Sequence, residues 1–141
     1  MTPAITLTDV PDAEAAAVIE RGLSRYNEEQ AGYRDSRGLA VLVSDPDTHE
    51  VLGGILGRTS LGLCFLDLVF LPDRLRGQDV GTRMMAEAES EARRRRCRAI
   101  VLYTISFQAP GFYEKLGYRV FGSVDCDPPG TSRIFMVKDL N

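Results

Sequence analysis

An α/β domain built on a mixed, mostly antiparallel sheet is predicted by three features of the chain. Three strand-like runs precede a long amphipathic helix, a short β-prone run follows it, and two further runs flank a proline-glycine turn near the end. Strands joined by tight turns pair antiparallel, whereas a strand-helix-strand passage needs a parallel crossover, so both kinds of pairing share one sheet. A length of 141 residues suits one domain, 1–141, and 44% hydrophobic with 26% charged residues excludes a disordered chain.

The first element is a helix from Asp12 to about Leu23, where Ala16, Ile19 and Leu23 recur at spacings of three and four after a Pro11-Asp12 start. Tyr26 to Gly38 has mixed polarity and two glycines, and reads either as a second, shorter helix or as a mobile segment. Leu39 to Ser44 and Val51 to Arg58 form a hairpin across Asp45-Pro46-Asp47. Leu63 to Leu71 is the most apolar run and is expected to be a central strand buried on both faces. After Pro72 the period changes. Val80, Met84, Ala88 and Ala92 stand four apart, so a long helix starts near Val80. Ala99 to Tyr103 is the crossover strand. Pro110 to Leu116 is a short helix with proline in its first turn and Gly117 as its stop. Tyr118 to Ser123 and Arg133 to Lys138 are the closing strands, on either side of Asp127-Pro128-Pro129-Gly130.

Composition excludes several classes. Cys64, Cys97 and Cys126 are odd in number and widely spaced, and the single histidine, His49, adjoins none of them, so no metal site and no disulfide framework is expected. Leu61 to Leu71 is far too short to span a bilayer, and Met1 to Val10 has no signal-peptide pattern, so the expected location is the cytoplasm, without a membrane partner. A net charge of −3 argues against a nucleic-acid partner. The run Arg93 to Arg96 with Arg98 follows Glu87, Glu89 and Glu91 on one helix, an order that suits the helix dipole and reads as a solvated helix end.

The chemistry concentrates between Leu66 and Thr82. A buried strand runs into a tight basic loop, Asp73-Arg74-Leu75-Arg76-Gly77-Gln78-Asp79, and a helix begins at Val80-Gly81-Thr82. Backbone N–H groups at a helix start have no intrahelical acceptor, so a phosphate can accept from several of them while the dipole favours its charge. Arg74 and Arg76 add positive charge, and Gly77 and Gly81 permit close backbone approach.

Two ordered segments resemble the GNAT superfamily of N-acetyltransferases, and in particular a small bacterial-type subgroup. Arg76-Gly77-Gln78-Asp79-Val80-Gly81 matches the signature Arg/Gln-x-x-Gly-x-Gly/Ala at Arg76 and Gly81, and Phe112-Tyr113-Glu114-Lys115-Leu116-Gly117-Tyr118 matches Phe-Tyr-x-x-x-Gly-Phe/Tyr. The subgroup's Leu-Arg-Gly-Gln and Ser-Phe-Gln-Ala are present as Leu75 to Gln78 and Ser106 to Ala109. There are two departures. Asp79 replaces the first signature glycine, and Thr131 stands where the subgroup often has histidine. Asp tolerates a left-handed backbone better than most residues, so the turn is expected to survive, whereas the added carboxylate opposes a bound phosphate.

The resemblance implies a sheet of six or seven strands flanked by about four helices, with acetyl-CoA as cosubstrate. It implies transfer of an acetyl group to a primary amine of a small-molecule or peptide acceptor, by direct attack in a ternary complex. Arg76, Gly77, Gln78, Asp79, Val80, Gly81 and Thr82 would hold the pyrophosphate, and Phe70 and Leu71 would offer main-chain groups to the pantetheine arm where the family's strands splay. Tyr113 corresponds to the general acid. Asp67 corresponds to an acidic residue acting as base, directly or through water; a lone carboxylate in an apolar run equally suggests a backbone hydrogen bond. Tyr103 is a weaker catalytic candidate. The acceptor is expected against Tyr26 to Tyr33, where Tyr26, Asn27, Glu28 and Glu29 could receive a cationic amine, with Tyr103 and the loops around Thr59 and Thr131. A homodimer through the last strands is common in such proteins. Asp79 motivates the alternative of a degenerate acyl-CoA-binding or non-catalytic interaction module.

Overall fold

The computed structural model describes residues Met1–Asn141, which divide into two compact units, Met1–Arg34 and Asp35–Asn141. The first unit contains α1 (Ala13–Ala31). Asp12 caps its start by accepting from the Ala15 N–H at 2.7 Å, and Gly32, at φ 88°, ends it by donating to the Glu28 carbonyl. The undecided stretch from Tyr26 therefore continues the first helix as far as Ala31, and its last two residues, Arg37 and Gly38, begin the first strand. Gly22 lies inside that helix at a cost of about 1 kcal/mol relative to alanine, and the helix formers that follow sustain it as far as the left-handed glycine.

In the second unit the order is β1 (Arg37–Ser44), β2 (Val51–Ser60), β3 (Leu63–Phe70), a single 3-10 turn (Asp73–Leu75), α2 (Val80–Arg94), β4 (Ala99–Ile105), α3 (Pro110–Lys115), β5 (Arg119–Cys126) and β6 (Thr131–Asp139). The six strands form one sheet in the order β1-β2-β3-β4-β6-β5, parallel only between β3 and β4. There are three α-helices where about four were expected, because the anticipated second helix is the end of α1. No helix is long and apolar enough to cross a membrane.

The core lies where α2 packs on the sheet. Met84, Met85, Ala88 and Ala92 meet Ile55, Cys64, Ile100 and Met136, all 3% exposed or less. Burial of a side chain the size of Ile100 or Met85 stabilises the fold by roughly 1.5–3 kcal/mol. At the far end of α2, Arg93, Arg94, Arg96 and Arg98 are exposed as expected, and Arg95 is the exception. Arg95 is only 13% exposed, donating from Nε to Glu91 Oε2 at 2.7 Å and from Nη1 to the Gly38 carbonyl at 3.0 Å and Thr59 Oγ1 at 3.1 Å.

The strand expected to be buried on both faces is so only in its first half. Cys64 and Leu66 are buried, but Leu68 and Phe70 are more than half exposed. The change occurs at Asp67. Gly57 of β2 pairs with Leu66 and Leu56 with Leu68, which leaves Asp67 as the extra residue of a β-bulge. A bulge bends its strand and raises the local twist. The ladder to β4 ends at the Leu66↔Leu102 pair, while β4 continues against β6 as far as Ile105↔Arg133. Beyond Leu66 the two parallel strands therefore separate.

Candidate functional site

The end of β3, the loop after it and the first turn of α2 form one continuous feature. After Leu71 and Pro72 the 3-10 turn reverses the chain, Gly77 adopts φ 77° and Asp79 φ 64°, ψ 5°. Asp79 thus takes the left-handed geometry expected of it. Side chains within the loop hold its curvature. Arg76 donates from Nε to the Leu71 carbonyl at 3.1 Å and pairs with Asp73 at 3.0 Å, and Gln78 Nε2 donates to the Arg74 carbonyl at 3.0 Å.

Asp79 stands at the N-cap position, yet its side chain caps nothing. The N–H groups of Val80, Gly81 and Thr82 therefore lack intrahelical acceptors, as the first donors of any helix do. An anion at this end would gain several donors and the positive pole of α2 together. The local features fit a pyrophosphate: two left-handed residues that turn the backbone inward, unspent N–H groups and the cations Arg74 and Arg76.

Gly81 has a second reason to lack a side chain. A Cβ there would lie 3.1 Å from Phe112 Cζ, close enough that the ring would have to shift by a few tenths of an ångström, so the two family-like segments are in contact. Phe112 in turn meets Tyr113 edge-on, with ring centroids 5.2 Å apart. Tyr113 is buried, and loss of hydration raises its phenol above the ordinary value of 10.0. Every buried side-chain oxygen or nitrogen has a partner, and the Tyr113 hydroxyl has none within the protein. The oxygen is therefore the accessible tip of a buried ring.

Asp67 is not enclosed by the apolar run around it. Its side chain is half exposed and pairs with Arg58 Nε at 3.5 Å, and that guanidinium lies 4.4 Å from the centroid of Phe65. The bulge is what turns the carboxylate outward. Phe70 ends β3 and Leu71 follows it, beyond the last pair with β4, so both lie where the strands have parted. Tyr103, the first β4 residue after that pair, packs its ring on Phe135 and beneath Arg133. The loop residues Arg76 to Thr82 and the pair Phe112-Tyr113 are thus brought together at the start of α2.

Other expected positions are arranged differently. Tyr26 and Asn27 lie on α1 of the first unit. Thr59 is in a strand, buried and bonded to Arg95, so it belongs to no loop. Thr131 begins β6 and donates its hydroxyl to the Pro128 carbonyl at 2.7 Å.

Sequence reasoning matched Ser106 and Gln108 to a subgroup pattern without giving them a task. Gln108 Oε1 accepts from Thr104 Oγ1 and from the Ile105 N–H, both at 2.9 Å, which fastens the end of β4. Ser106 exchanges bonds with Ser132 at the start of β6, through its N–H at 2.9 Å and its hydroxyl at 3.0 Å. Together they shape the connection that delivers α3. No group of His, Cys, Asp and Glu side chains is arranged to hold a metal ion.

Comparison with known proteins shows the family and the fold. Residues 7–118 match the sequence model of the acetyltransferase (GNAT) family. The chain is 35% identical over 132 residues to the acetyltransferase Atu2258 of Agrobacterium fabrum, covering 94% of this chain and 96% of that protein. It is 37% identical over 92 residues to the blasticidin-S acetyltransferase of Streptomyces morookaense, covering 64% and 68% respectively. A crystal structure from Agrobacterium tumefaciens, assigned to the acetyltransferases, superposes with a TM-score of 0.88 at 34% identity over 97% of this chain and 99% of that one.

Proposed function

Because this chain belongs to the acetyltransferase (GNAT) family, we propose that it carries the acetyl group of acetyl-CoA to a primary amine of a small-molecule or peptide acceptor. Attack is direct, within a ternary complex. The observation that carries the reading is the junction of three features at the start of α2: the left-handed loop with free N–H groups, the parting of β3 from β4 beside it, and the Phe112 contact that brings Tyr113 to the same place.

The thioester supplies the acyl group and a thiolate that needs a proton as it leaves. The residues Arg76 to Thr82 bind the pyrophosphate through backbone donors and Arg76, while the unpaired edge of β3 near Phe70 and Leu71 meets the pantetheine arm. Tyr113 donates the proton from its accessible hydroxyl. Its raised pKa keeps the phenol protonated at neutral pH, so it is charged with a proton when needed. Asp67, aimed outward by the bulge, receives the amine's proton directly or through water, with Arg58 setting its orientation. Tyr103 meets the acceptor on the parted edge. Similarity to a blasticidin-S acetyltransferase makes a small, amine-bearing antibiotic the first acceptor to try.

Calorimetric titration with acetyl-CoA tests the binding half, and saturation in the micromolar range is expected. No heat at millimolar ligand would leave a non-catalytic module as the better description. Tyr113→Phe tests the chemical half: kcat should fall roughly 10²-fold with little change in acetyl-CoA affinity, since only a proton donor is lost. An unchanged kcat would remove Tyr113 from the mechanism.

A further inference from the structure

Alongside α3 lies a group of side chains that the transfer reaction does not use. Glu89 of α2, 7% exposed, is the one acidic residue among the buried set. Its Oε2 accepts from the Tyr118 hydroxyl at 3.1 Å and its Oε1 from the Lys138 ammonium at 2.8 Å, with the Arg93 guanidinium 3.9 Å from Oε1. A carboxylate withdrawn from water persists only with such partners. A buried ion pair is nevertheless often no more stabilising than apolar side chains of the same volume. Stability alone therefore gives little reason for this arrangement.

Its geometry leads to Tyr113. The Tyr118 N–H donates to the Tyr113 carbonyl at 3.0 Å, and the two rings meet edge-on, with centroids 5.9 Å apart and planes at 72°. Tyr118 is 3% exposed. With its hydroxyl tied to Glu89 and the Lys138 ammonium 5.7 Å from its ring centroid, that ring has no freedom to swing. The segment bearing Tyr113 is thus fastened to α2 twice, by Phe112 on Gly81 and by Tyr118 on Glu89. The two points are about 12 Å apart along the helix axis. Movement of Tyr113 relative to the start of α2 would require one of them to give.

We propose that Glu89 is a positioning residue for acetyl transfer, holding the Tyr113 hydroxyl at a set place relative to the loop at the start of α2 by acting through Tyr118. The inference rests on Tyr113 being the general acid. A merely structural Glu89 would affect the folded fraction and leave the turnover of folded molecules unchanged.

Two conservative variants test this. Tyr118→Phe removes the hydroxyl and keeps the ring, and Glu89→Gln keeps the shape and an acceptor for Tyr118 while removing the charge that faces Lys138. Each is assayed as CoA thiol release, with an amine or with water as acceptor, in the parent and in the Tyr113→Phe background, with thermal melts to fix the folded fraction. Tyr118→Phe should lower kcat roughly tenfold with the acetyl-CoA KM within about twofold, and should have less than about a twofold effect when combined with Tyr113→Phe. Glu89→Gln should produce a smaller loss with the same dependence on Tyr113. An unchanged kcat in Tyr118→Phe, or an equal loss in both backgrounds, overturns the positioning role. Full turnover in Tyr113→Phe alone would instead overturn the acid assignment, a result separable from the first because it appears before any change at Tyr118 or Glu89.

Discussion

The two ends of α2 carry similar arginines and use them in opposite ways. At the C-terminal end, Arg95 and Arg94 share the carboxylate of Glu91, and Arg95 reaches on to Gly38 and Thr59, joining the helix to β1 and β2. The charge of Arg95 is consumed within the fold, whereas Arg94 stays exposed. At the N-terminal end, Arg76 is bonded only within its own loop, to the Leu71 carbonyl and to a largely exposed Asp73, and the N–H groups of the first turn have no acceptor. An exposed pair contributes only about 0–1 kcal/mol and is readily exchanged for another anion. Residue type is thus a poor guide to role: the availability of buried partners decides whether an arginine stabilises the fold or remains free for a ligand.

That division can be broken by exchanging the effects of the two ends. The largest change is expected from Arg95→Ala, which leaves Glu91 and the Gly38 carbonyl short of donors. It should lower the unfolding free energy by about 2 kcal/mol without altering the acetyl-CoA Kd. Hydrogen bonds from Arg95 and then Arg94 hold the Glu91 carboxyl below its ordinary value of 4.5. A depressed folded pKa contributes stability above the unfolded value that is lost as pH falls through the folded one. On acidification below pH 4.5 the parent should therefore lose more stability than Arg95→Ala, which has less of that contribution to lose. A change in Kd with stability preserved would reverse the assignment of the two ends.

Arg76→Ala should act the other way, weakening acetyl-CoA binding about fivefold, close to 1 kcal/mol, while the thermal midpoint stays within a degree or so. A destabilised variant with unchanged Kd would make Arg76 a loop strut only. The smallest effect belongs to Asp79→Gly. A solvated carboxylate some 4 Å from a phosphate costs about 1 kcal/mol at most, so titration should show binding tightened by roughly two- to fivefold. Equal affinities would mean that the Asp79 carboxylate points away from the bound anion.

Much of this arrangement was legible in the chain. The hairpin across Asp45-Pro46-Asp47, the start of α2 at Val80, the start of α3 at Pro110 and the two closing strands occur where period and turn residues located them. The left-handed turn at Asp79 was expected from its place in the resembled signature, where glycine is usual, together with aspartate's tolerance of that geometry. The run Leu63 to Leu71, the most apolar of the chain, is buried only in its first half. An unbroken apolar run signals a buried strand, and the signal says nothing of a bulge at Asp67 or of a partner strand that departs after Leu66. The exposed Asp67 and its pairing with Arg58 follow from that bulge. Tyr26 and Asn27 lie in a stretch whose form the sequence leaves open, because its mixed polarity and two glycines carry no helical apolar period, although the helix runs on through both residues.

Amino-acid order by itself determined most of the local elements, the cap at Asp12, and the loop that presents the start of α2 to an anion. These depend on backbone preferences and on periods of two and 3.6 residues, which are properties of neighbours in the chain. Tertiary structure alone decided which charges are spent and which are free. Glu89 meets Tyr118 and Lys138 only because α2 crosses the sheet beside β6, and Gly81 meets Phe112 only because α3 returns to α2. Such pairings depend on register between elements far apart in sequence, which local periodicity does not encode.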